Sequence, residues 1–191
     1  MVARVYLAGP DVFFPDAAAV LARKKEICTR YGLEGLSPLD NEVQADPSDP
    51  GAAARTIYAG NARQMDTADA VIANLTPFRG VSADSGTAFE LGYCAARRLP
   101  LFGYSVDSRS YAGRVRRSFD LPADAAADGD GMAIEDFGLA ENLMLIEAIL
   151  ASGGRFIDAR DADGGSDNLT AFEACAVALA ETLAARRRLA P

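Results

Sequence analysis

In the stretch DSGTAFELG, Asp84 and Glu90 stand six residues apart across a Ser-Gly turn and the expected start of a helix. Two carboxyl groups on one substrate can divide the work of breaking a glycosidic bond. One, ionised, attacks the anomeric carbon and forms a glycosyl ester, while the other protonates the departing group. A helix beginning at Thr87 puts Glu90 in its first turn, where the positive backbone field keeps a carboxylate ionised. Asp84 then needs its pKa raised, by burial or by the nearby negative charge, to hold a proton near neutral pH. Gly86 lets the backbone approach a ligand with no side chain in the way. The same residues also have a structural reading. Thr87-Ala88-Phe89-Glu90 fits a helix capping box, and an aspartate shortly before a glycine commonly serves a turn.

Composition narrows the chemistry. The 191 residues contain no histidine, which excludes a Ser-His-Asp triad and argues against a catalytic zinc site. Acid–base work therefore falls to Asp, Glu, Tyr, Lys or Cys. Cys28, Cys94 and Cys175 are far apart, odd in number and without a CxxC pair, so buried, inert thiols are expected rather than disulfides. The formal net charge of −8 argues against a general nucleic-acid surface, and Arg186-Arg187-Arg188 reads as a helix end meeting its dipole. No segment reads as a membrane span or a signal peptide, so no membrane partner is expected and the cytoplasm is the expected compartment.

The elements that must position these residues alternate strand and helix. Strands are predicted over 4–8, 33–36, 70–75, 99–104 and 155–158. Helices are predicted over 16–31, 52–65, 87–98, 139–151 and 169–188. The run AVIANL, residues 70–75, is apolar except for Asn74, as suits a strand covered on both faces. The loop Ser37-Pro38-Leu39-Asp40 continues through Pro47 and Pro50, residues 107–138 read as loop-rich, and DAAADGDGMA within them, residues 124–133, reads as a flexible, solvated insertion. With no internal repeat and no second domain, one domain spans residues 1–191. The predicted fold is α/β, a flavodoxin-like, doubly wound, five-stranded parallel sheet of order 2-1-3-4-5 with helices on both faces. Ligands bind such sheets beyond the carboxyl ends of strands at the switch point, here between the first and third strands. The Gly9-Pro10 loop and the 78–90 loop both open there.

VYLAGPDVFF, NARQMDTADAVIANL, DSGTAFELGY and ENLML together resemble the nucleoside 2-deoxyribosyltransferase family, from Val5 to about Leu145. D-x-G-T-A-F-E-L-G is the specific part. The resemblance implies transfer of 2-deoxyribose between nucleobases through a covalent deoxyribosyl-glutamate, without metal or organic cofactor. It implies that Glu90 is the nucleophile, that Asp84 contacts the base and donates its proton, and that the Tyr6 hydroxyl holds the nucleophilic carboxylate. Phe13 and Phe14 fall where an aromatic residue lies beside the base, beside Gly9 of the same loop, and flat rings suit a flat base. Asn61 stands where some members have a base-contacting aspartate; a neutral amide there should alter base recognition. Asn142 and Met144 fit a pair that a neighbouring subunit inserts into the site, so a homo-oligomer is implied, with deoxynucleosides and free nucleobases as partners. Without the resemblance, Tyr6 and Met144 read equally well as core. The family's substrate-facing C-terminal tail has no clear match in RRRLAP.

Two other readings stand beside this one. A deoxynucleoside 5′-monophosphate N-glycosidase uses a similar tyrosine and glutamate but needs a phosphate site, and the first loop, AGPDVFF, is acidic and aromatic. Arg79 or Arg114, Arg116 and Arg117 would have to supply it, whereas they read as solvated charge. GTAFE also shares the end of the phosphoribohydrolase pattern but lacks its paired glycines. The third reading is a non-catalytic nucleotide-binding module, which has no use for a nucleophile at Glu90.

Overall fold

The computed structural model describes residues 2–41, 49–158 and 168–189. The part of the expected 37–50 loop that runs through Pro47, and the tail Ala190-Pro191, lie outside the described residues. Five strands, β1 (Ala3–Ala8), β2 (Leu33–Leu36), β3 (Ala70–Asn74), β4 (Leu101–Ser105) and β5 (Phe156–Asp158), form one sheet of order β2-β1-β3-β4-β5. Every pairing is parallel, so the flavodoxin-like topology expected from the alternation is the one observed. The helices are α1 (Ala17–Arg30), α2 (Pro50–Thr67), α3 (Ser85–Ala96), α4 (Tyr111–Ser118), α5 (Leu143–Ala151) and α6 (Asn168–Leu189).

Successive strand residues point to opposite faces, and this divides the core in two. Val5, Leu7, Ile72 and Phe102 pack under α1 and α6 with Ile27, Phe172, Cys175 and Leu179. Tyr6, Ala8, Val71 and Ala73 face the other way, against Met65 of α2, Leu91 and Cys94 of α3 and Ile149 of α5. The period of two therefore sends Tyr6 to the same side of the sheet as α3. All three cysteines are free and buried, and burial pushes the Cys28 and Cys94 thiols up to about 12, where they stay protonated and unreactive.

Several expectations need correction. By length and composition α6 could cross a membrane, contrary to the reading that no segment could. Its Ala171, Phe172, Cys175, Ala176 and Leu179 are buried on the sheet, so its apolar content serves the core. β4 begins after Pro100, not at Leu99, and α5 begins at Leu143, not Leu139, because Asn142 caps it by accepting from Met144 N–H at 3.0 Å. Residues 107–138 are not loop alone. They contain α4, whose N-cap is Ser110, and Arg116 ties the segment down through Ala125 O at 2.9 Å and Asp136 at 2.7 Å. Nor is Arg114 solvated: it is 4% exposed and paired with Glu141 at 2.8 Å.

The polar residue in the third strand also has an explanation. Asn74 donates to the Asp11 carboxylate at 3.3 and 3.4 Å. Asp11 also accepts from Lys24 Nζ at 2.7 Å and from Asn168 Nδ2 at 2.8 Å. Lys24 is fully buried, donates to Tyr104 OH at 2.7 Å and lies over the Tyr104 and Phe172 rings. A buried charge is tolerated only when paired and hydrogen-bonded, and here one carboxylate and one ammonium satisfy each other. The network fixes the loop after β1 to the end of β3 and to the start of α6.

Candidate active site

A cleft of about 570 Å³ opens beyond the carboxyl ends of β1, β2 and β3, at the switch point of the sheet. Gly9, Val12 and Phe13 line it from the loop after β1, Pro38, Leu39 and Asn41 from the loop after β2, and Ile57 and Asn61 from α2. Asp84, Gly86 and Glu90 close it from the start of α3. Gly9 is required by close approach, since a Cβ there would meet Asp11 Oδ2 at 2.6 Å and Asn74 Cβ at 2.9 Å.

The cap of α3 is not the one expected. The helix starts at Ser85, and Asp84 is its N-cap: Oδ2 accepts from Thr87 N–H at 3.0 Å and from Thr87 Oγ1 at 3.2 Å. T-x-x-E is therefore not a capping box here, and Glu90 has no part in the cap. Tyr6 Oη donates to Glu90 Oε1 at 2.6 Å. Glu90 sits in the second helical turn, where the helix-end field has largely died away. Burial dominates instead and pushes the Glu90 carboxyl up to about 7; the Tyr6 bond pulls it down and the Asp84 charge pushes it up further. Burial, helped by the Glu90 charge and hydrogen bond, pushes the Tyr6 phenol up, so it remains a donor across the working range.

Of the residues singled out from the sequence, Gly9, Phe13, Asn61, Asp84, Gly86 and Glu90 share the cleft, and Tyr6 lies behind Glu90. Phe14 does not line it. Phe13 ends a 3₁₀ turn, Pro10–Phe13, and the tight winding turns consecutive side chains apart. Phe13 is 54% exposed and stacks on Phe78, with ring centroids 5.3 Å apart and the Arg79 guanidinium over both rings. Asn142 and Met144 do not reach the cleft of their own chain; Met144 is 69% exposed, which excludes the core-filling reading.

The sequence reading missed Asn41. Its amide donates to Asn61 Oδ1 at 2.9 Å and to Pro38 O at 3.2 Å, and it packs so tightly on α2 that a Cβ at Gly60 would meet its Cγ at 2.6 Å. The signal was present: the loop after β2 must open at the same sheet edge as the Gly9 loop. Glu141 was missed as well, although it adjoins Asn142 in ENLML. It is 0% exposed and holds the chain just before Asp84, accepting from Ala83 N–H at 3.2 Å.

Residues 5–144 match the protein-family model described as nucleoside 2-deoxyribosyltransferase. A solved 2-desoxiribosyltransferase from Leishmania mexicana is 30% identical, with a TM-score of 0.64 over 94% of this chain and 97% of that one. The 2-deoxyribosyltransferase of Bacillus psychrosaccharolyticus is 16% identical, with a TM-score of 0.53 over 85% and 93%, a likeness of fold alone. An uncharacterized protein of Schizosaccharomyces pombe is 36% identical over 165 residues, 78% of each chain.

Proposed function

Because this chain belongs to the nucleoside 2-deoxyribosyltransferase family, we propose that it exchanges the bases of 2′-deoxynucleosides by a retaining double displacement at Glu90. The observation that carries the proposal is the Tyr6–Glu90 hydrogen bond. It occupies Oε1, orients the carboxylate in the cleft and leaves the other oxygen to attack. Glu90, once ionised, attacks C1′ as the bond from C1′ to the base nitrogen breaks. The base leaves with a proton from Asp84, which supplies roughly 10²- to 10⁴-fold. A second base then attacks C1′ from the vacated face, returns its proton to Asp84 and releases Glu90 from the ester.

The apolar walls Val12, Phe13, Leu39 and Ile57 suit a flat base, and Asn61 with Asn41 offers neutral amides to its edge. Water must be kept from the ester. The exposed Met144, beside Asn142 at the start of α5, suits insertion into the cleft of a second copy. The chain then works as a single-domain homo-oligomer without metal or organic cofactor, reusing free bases. Three free thiols fit a reducing, cytoplasmic setting.

A 5′-monophosphate substrate has less support. The helix N-terminus where a phosphate would bind carries the Asp84 carboxylate instead. Incubation of the protein with one deoxynucleoside and a different free base tests the proposal. Exchange is expected, without added metal or phosphate. Release of free sugar alone would make the protein a hydrolase, and binding without turnover would make it a sensor.

A further inference from the structure

The buried pair Glu141–Arg114 lies outside the cleft, yet its hydrogen bonds converge on the chain segment that delivers Asp84. Glu141 accepts four of them. Ser82 Oγ and Asn142 N–H donate to Oε1 at 2.5 and 2.9 Å, and Ala83 N–H and Arg114 Nη2 donate to Oε2 at 3.2 and 2.8 Å. Arg114 donates in turn to Val81 O at 2.7 Å, Ala140 O at 2.7 Å and Arg109 O at 2.8 Å. Three consecutive residues, Val81, Ser82 and Ala83, are thus held immediately before Asp84. The loop needs holding, because Arg79 within it adopts a left-handed backbone at φ 54° and a cavity of about 370 Å³ lies along it from Phe78 to Ser85. The cap bonds to Thr87 fix Asp84 only from the helix side.

We propose that Glu141, clamped by Arg114, is a positioning residue that holds Asp84 in line to protonate the departing base. The inference rests on Asp84 as the acid. A proton must travel along a well-aimed hydrogen bond, and a displacement of about 1 Å can cost roughly 100-fold. Glutamine keeps the shape of Glu141 but turns one acceptor into an N–H₂ group facing backbone or guanidinium donors. The loop then shifts, and departure of a base that needs a proton suffers most.

The test compares Glu141→Gln with wild type on a purine deoxynucleoside and on a nitrophenyl 2-deoxyriboside, whose leaving group needs no proton. The expected result is a fall in kcat of about tenfold or more on the purine nucleoside, with KM changed less than about threefold and the nitrophenyl substrate within about threefold. In an Asp84→Asn background the same substitution should add less than about twofold, because both act through one proton transfer. An equal fall on both substrates, or a full additional loss in that background, overturns the inference. If Glu141→Gln does not fold, Ser82→Ala, which removes a single bond to Glu141, decides the question by the same selective loss. Asp84→Asn with no leaving-group dependence overturns the acid role and this inference together. Asp84→Asn that shows the dependence while neither Glu141→Gln nor Ser82→Ala does overturns this inference alone.

Discussion

Tyr6 and Glu90 meet at 2.6 Å although 84 residues separate them in the chain. The contact follows from strand pleating, which turns Tyr6 toward the face on which α3 packs. It places the phenol against the Glu90 carboxyl, which burial lifts to about 7.

Glu90→Gln should abolish exchange by several orders of magnitude and yet stabilise the protein. The Glu90 carboxyl rises from 4.5 to about 7 on folding, so its stabilising contribution is complete below about pH 4.5 and is lost as pH rises through 7. That loss is worth about 3 kcal/mol. Glutamine does not titrate. Denaturant unfolding should therefore show the variant more stable at pH 8, by about 1–3 kcal/mol, with the gap closing toward pH 4.5. An intact-mass adduct of one deoxyribose should form in wild type without acceptor base and be absent from the variant. A variant that keeps most of its exchange would remove Glu90 from the mechanism.

Attack needs Glu90 ionised and departure needs a proton on Asp84, so the active pair holds one proton, and the alkaline limb of kcat/KM should fall as pH climbs through about 7, where that last proton is lost. The Tyr6 hydrogen bond pulls the Glu90 pKa down, so Tyr6→Phe should move the limb to higher pH and, by keeping the proton on Glu90, lower the rate at pH 7 by about tenfold. A limb that stays in place would show that another group controls it.

Much of this arrangement was legible because it depends on short-range pattern. Alternating strands and helices give the sheet order, and the order gives the switch point. What escaped depends on partners distant in sequence. Lys24 sits in the charged run RKKE, and only Asp11 and Tyr104, brought to it by the fold, make it a core residue. Arg114 looked solvated because its partner lies 27 residues on, and the glycine at position 113 obscured the helix around it. The capping box was misread because two adjacent patterns compete. D-x-x-T and T-x-x-E overlap at Thr87, and the helix takes the earlier one.

Asp84→Asn should leave the fold intact, since asparagine caps a helix as well as aspartate does. Exchange of ordinary bases should fall by about 10²- to 10³-fold, and cleavage of a nitrophenyl deoxyriboside by less than about tenfold. Equal losses on both would assign Asp84 to binding rather than proton transfer.

Subunit completion can be tested by mixing. Glu90→Gln and Asn142→Ala should each be nearly inactive alone. Mixed and allowed to exchange subunits, they should recover measurable activity in hybrid sites, to at most about a quarter of wild type for random pairing in a dimer. Full activity of a chain shown to be monomeric by light scattering would count against the arrangement.

The cap on α3 also bears on how the proposed cycle keeps its geometry. In that proposed cycle Asp84 divides its carboxyl between two tasks. Oδ2 stays bound to Thr87, and Oδ1 takes none of the hydrogen bonds among the described residues. An oxygen of a carboxyl group accepts whether or not its twin carries a proton. Loading and unloading Oδ1 therefore leaves the helix start unchanged, and both halves of the reaction meet the same scaffold. The carboxyl cannot spin between strokes, so the proton is given and taken back along one fixed direction.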